Sequence, residues 1–76
     1  MVKYIKMSSE KQIRDFSALA QLFDSDIGVH TDKQMVDAKS TFDLLQLDYS
    51  QPVRVVTEDA SFMKSIRSWL IENNPS

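Results

Sequence analysis

The sequence predicts an α+β fold: a four-stranded antiparallel sheet with three helices on one face, in the order β-α-β-β-α-β-α. Two observations carry this. Three stretches repeat apolar residues at helical spacing, and four short stretches are β-branched or alternate in polarity. The chain also has only 76 residues, which reads as a single domain spanning 1–76 with one thin core. Amphipathic helices and half-buried strands that must share one interface are arranged economically with the helices on one side of the sheet and water on the other. A ferredoxin-like sheet with an added helix fits the same element order and stands as the alternative.

Val2 to Lys6 alternates Val2, Tyr4 and Lys6 against Lys3, Ile5 and Met7, the period of a strand. Ser8 and Ser9 open a helix, and Ser9 with Gln12 three residues on is a capping-box pattern. Ile13, Phe16, Leu19, Ala20 and Phe23 follow as one apolar stripe. Asp24-Ser25-Asp26 breaks that helix. Ile27 to Thr31 reads as a second strand, Asp32-Lys33-Gln34 as a hairpin turn, and Met35 to Ala38 as a third strand. Ser40 with Asp43 marks another helix start, followed by Phe42, Leu44, Leu45 and Leu47. Asp48 to Pro52 is a loop, and Val53 to Thr57 a β-branched strand. Glu58-Asp59 introduces a last helix with Phe62, Met63, Ile66, Trp69 and Leu70 on one face, and Asn73 to Ser76 is a fraying tail. The aromatics Phe16, Phe23, Phe62 and Trp69 fall on inward stripes and read as core.

Composition excludes several function classes. There is no cysteine for a disulfide or thiolate site, and the single His30 allows no multi-histidine metal centre. No apolar run approaches the roughly 20 residues that span a bilayer, and the lysine-spaced start lacks the apolar middle of a secretory signal, so a cytoplasmic protein without membrane contact is expected. A net charge of -2 argues against a nucleic-acid partner. Neither a catalytic triad, a P-loop nor a Gly-rich dinucleotide turn is present, so neither an enzyme nor a cofactor is expected.

The run Phe23-Asp24-Ser25-Asp26-Ile27, followed by Val36-Asp37-Ala38-Lys39-Ser40, resembles the HPr family, the phosphocarriers of the bacterial sugar phosphotransferase system. There too a helix ends in an aromatic, a hairpin follows, and Lys-Ser opens a short second helix. The resemblance covers essentially the whole element order. It implies an HPr-like open-faced β-sandwich. In that family the phosphorylated histidine begins the first helix within a Gly-Ile-His-Ala-Arg-Pro-like segment. Carried over, Ser9 stands at the histidine position, Lys11 at the arginine position and Gln12 at the proline. The family's glycines around the second helix are replaced by Asp43 and Asp48.

That substitution decides the expected function. Imidazole is a nucleophile near neutral pH and forms a readily transferred phosphoramidate, whereas a serine hydroxyl is weak without a neighbouring base. Ser9 is therefore expected to cap its helix, and His30, on a strand, to be a surface or sheet-face residue. Some family members are phosphorylated by a dedicated kinase at the serine matching Ser40, which makes Ser40 the candidate regulatory position; a simple helix cap is its other reading. Phe42 and Leu45 align with residues the family exposes for docking, and Lys11, Arg14 and Lys39 would ring them with positive charge. The expected partner is a protein, a phosphotransferase-system component or a transcriptional regulator. The leading reading is a non-catalytic interaction module. A phosphocarrier with an atypical acceptor and a fold-only relative of unrelated role are the alternatives.

Overall fold

A computed structural model describes residues 1–71; the expected fraying tail, 73–76, lies outside the described residues. The elements are β1 (Val2–Ile5), α1 (Glu10–Ala20), β2 (Gly28–His30), β3 (Met35–Asp37), α2 (Thr41–Leu45), β4 (Val53–Val56) and α3 (Ala60–Ser65), with a 3-10 turn at Arg67–Trp69. The four strands form one sheet in the order β1-β4-β2-β3, with every neighbouring pair antiparallel. The central strands are β4 and β2. A ferredoxin-like sheet is centred on its first and third strands, so that alternative is excluded and the open-faced sandwich stands.

Alternation along the strands separates the two faces. Ile5, Val29, Val53 and Val55 are buried beneath the helices. The intervening residues align across the register into a row on the uncovered face, Tyr4, Arg54, His30 and Met35. Ile13, Phe16 and Ala20 of α1, Leu44 of α2 and Phe62 and Met63 of α3 complete one core with Met7, Ile27, Ala38, Leu47 and Ile66. Phe16 is its hub. Its ring meets Phe62 at 5.8 Å and Trp69 at 5.7 Å, and Phe62 meets Phe23 at 5.2 Å, all edge-on, the arrangement that aromatic quadrupoles favour.

Two helix ends differ from the sequence reading. The first helix stops at Ala20 rather than running to Phe23. The Gln21 amide donates to the Ser17 carbonyl and the Leu22 amide to the Leu19 carbonyl, and Phe23 reaches the core from the following turn. The last helix stops at Ser65, whose hydroxyl donates to the Phe62 carbonyl at 2.6 Å. After the 3-10 turn, Leu70 is extended and bridges Ile5: the Lys6 amide donates to the Trp69 carbonyl and the Ile71 amide to the Tyr4 carbonyl. A helix continued through Leu70 would point these backbone groups along its own axis and forfeit the contact with β1.

Candidate functional site

The residues singled out by the sequence form two groups, Ser9, Lys11 and Arg14 in the first turns of α1 and Lys39, Ser40, Phe42 and Leu45 on and just before α2, whose start lies against Ser17 and Gln21 in the C-terminal half of α1. Ser9 has extended backbone and caps α1, its Oγ accepting from the Gln12 amide at 3.2 Å. Gln12 returns the contact one residue earlier than a capping box prescribes: its Oε1 accepts from the Ser8 amide at 2.8 Å. The Ser9 hydroxyl is exposed, and among the described residues no imidazole or free carboxylate is bonded to it. The neighbouring Glu10 carboxylate is held by the Arg14 guanidinium at 3.1 Å.

Lys11 and Arg14, expected in a positive ring around the docking patch, each meet an acid four residues away on their own helix, Lys11 with Asp15 at 2.8 Å and Arg14 with Glu10, so part of their field is offset locally. The hydrogen bond to the Asp15 carboxylate also holds the Lys11 ammonium's pKa above its ordinary value. Lys39, half-buried, is the member of the trio without an ion pair among the described residues.

α2 is fastened to α1 by polar contacts that the apolar pattern did not reveal. The Thr41 hydroxyl donates to Ser17 Oγ at 2.8 Å, and Gln21 Nε2 donates to the Lys39 carbonyl at 3.0 Å. Ser17 is completely buried. A small polar residue on an otherwise apolar stripe, beside a Gln one turn on, was the available signal. The two contacts set α2 running back toward the N-terminal half of α1. Ser40 caps α2, accepting from the Asp43 amide at 3.4 Å, and its own amide donates to the Asp37 carbonyl. Asp37 Oδ1 accepts from the Lys39 amide at 2.9 Å, which fixes the turn ahead of the cap. At the other end the Tyr49 hydroxyl donates to the Leu44 carbonyl at 2.6 Å; burial of that phenol pushes its pKa up to about 12.

The apolar residues of α2 divide by face. Leu44 is buried, Leu45 is half-buried against the core, and Phe42 is 72% exposed. An aromatic ring standing free on a tethered helix can anchor a partner. His30 is elsewhere: it projects from the uncovered face of the sheet, folded over Gly28, where a Cβ would lie 2.8 Å from its Nε2. Among the described residues no cluster of His, Cys, Asp or Glu could hold a metal ion, and no helix is long and apolar enough to cross a membrane.

No protein-family model matches the chain, and no curated protein sequence matches it. Solved structures do. The phosphocarrier protein HPr from Bacillus anthracis str. Ames superposes with a TM-score of 0.72 at 17% identity, covering 93% of this chain and 96% of that one. HPr-C-His from Thermoanaerobacter tengcongensis gives 0.67 at 26% identity, covering 90% of this chain and 82% of that one. The chain has an HPr-like fold.

Proposed function

We propose that this protein is an HPr-like interaction module related to the sugar phosphotransferase system, acting in the cytoplasm, that docks through the starts of α1 and α2 without carrying phosphate. One observation supports this above the others: within an HPr-like fold, the residue opening α1 is a serine engaged as a helix cap, with no base bonded to its hydroxyl among the described residues. A capped hydroxyl lacks the lone-pair basicity of imidazole, and a phosphoserine ester would be a poor donor. Phe42, with Leu45 beside it, supplies the docking anchor, and Lys39 its cationic neighbour. Ser40 is the regulatory position: a phosphoryl group there would add about two negative charges beside Asp43 and displace the hydroxyl from its capping bond. The partner is a phosphotransferase-system protein or a transcriptional regulator.

The test is incubation with phosphoenolpyruvate and the first enzyme of the system, followed by intact-mass measurement. The expected mass is unchanged. A stoichiometric gain of one phosphate, stable to base and labile to acid, would identify a phosphohistidine and overturn the reading in favour of an active phosphocarrier. Co-precipitation from cell extract is expected to recover a phosphotransferase-system protein or regulator with the parent chain and to lose it with Phe42→Asp.

A further inference from the structure

A second surface lies away from Ser9, Ser40 and Phe42. The outward stripe of α3 and its 3-10 extension carries Ala60, Lys64 and Arg67, and it faces Met1 and Lys3 across an open groove of about 620 Å³. Met63, almost completely buried, forms the apolar floor. The groove is basic in a chain whose net charge is -2. Lys64 and Arg67 are exposed and, among the described residues, neither has an ion-pair partner, in contrast to Lys11 and Arg14. One carboxylate meets the rim: Glu58, 3.7 Å from the N-terminal amine, with its side chain 97% exposed.

We infer that this groove is a docking site for an acidic peptide segment carrying an apolar anchor. Lys64, in the last turn of α3, and Arg67, which opens the 3-10 turn, line the same groove and offer two cations to the carboxylates of one short acidic segment. The methionines offer what such a segment's apolar side chain requires, a deformable and polarisable floor. Charge complementarity selects the occupant. A nucleic acid needs a longer basic track than three side chains. An anionic membrane is recognised by clusters of roughly four to eight basic side chains, and this groove is lined by three, with an acid at its rim. The site is separate from the α1–α2 face, so either can fail without the other.

The test uses the full chain, isotopically labelled, and a 12-residue amphipathic peptide of alternating Glu-Glu and Leu-Leu pairs as the probe. Amide shifts on titration are expected at Lys3, Ala60, Met63, Lys64 and Arg67, with weak affinity that falls further as salt rises. Lys64→Glu with Arg67→Glu should weaken binding about tenfold, since each exposed charge contact is worth a few-fold. Phe42→Asp should leave it unchanged, and the double variant's undisturbed amide spectrum verifies its fold. The inference is overturned by an absence of binding, by equal binding of the all-Gln version of the peptide, by shifts that map to the Phe42 face, or by phosphatidylglycerol vesicles or inorganic phosphate producing the same shifts at lower concentration.

Discussion

Ser17→Ala removes one oxygen atom from the centre of the α1–α2 contact. The direct cost follows from the geometry. The Thr41 hydroxyl, half-buried, loses the acceptor it holds at 2.8 Å, and an unpaired donor of this kind costs about 1–3 kcal/mol. Thr41 can still reach water, which favours the lower half of that range. Alanine also returns a few tenths of a kcal/mol through its better helix propensity, and the cavity left by one oxygen is negligible. The net loss is about 0.5–1.5 kcal/mol. For a domain of this size that is roughly 4–8 °C in Tm per kcal/mol. Urea unfolding followed by Trp69 fluorescence is the assay, because the indole sits 5.7 Å from Phe16 and reports the core directly. The midpoint should fall and the slope stay fixed. Thr41→Val cuts the same bond from the other side, so the double variant should lose less than the two single losses together, by about 0.5–1.5 kcal/mol. Strict additivity, or a Ser17→Ala protein as stable as the parent, would refute the claim that this bond holds α2 in place.

Two further outcomes follow from titrating groups. Tyr49 has its phenol pushed from 10.0 to about 12 by burial, so the unfolded chain ionises first and folding stability should fall as pH rises from about 10 to about 12; Tyr49→Phe should abolish that segment of a stability–pH curve, and a phenolate absorbance titration that found both tyrosines ionising near 10 would sink the assignment. Asp59 accepts from the Ser25 hydroxyl at 2.5 Å and caps α3 through the Phe62 amide at 3.0 Å, and these bonds, Ser25 first, hold its carboxyl below the ordinary range. Its contribution is therefore present above the unfolded carboxylate pKa and lost as pH falls through the lower folded one; denaturation curves of Asp59→Asn should be flatter in acid than the parent's, and identical acid limbs would contradict this.

The sequence revealed the sheet and the helices wherever one period dominated. Ile13, Phe16 and Ala20 reported the buried stripe of α1 because every fourth or third side chain meets the same neighbour. The strands were legible to within a residue or two at each end, since Val53 and Val55 must be apolar to lie under helices. Failures came where tertiary contacts override local preference. Nothing local to Ile66 announces that Leu70 will be extended; that is dictated by Tyr4 and Lys6, more than sixty positions earlier in the chain. The candidate site was less legible than the fold. Phe42 and Ser40 were found from the resemblance, but the carboxylates that pair with Lys11 and Arg14 stood four residues away in plain view and acquired meaning only with the helix drawn. Ser17, a polar residue on the apolar stripe of α1, gains its meaning only when Thr41 is seen against it.

The bridge between Leu70 and Ile5 also governs how this sheet can meet another. Edge-to-edge addition of strands, the route to both ordered fibres and aggregates, requires two vacant margins so that each newcomer leaves room for the next. Among the described residues the chain occupies part of one margin itself, along Tyr4 to Lys6, and the other margin is the three-residue β3. A pair formed through β3 would present its shielded sides outward and stop at two copies.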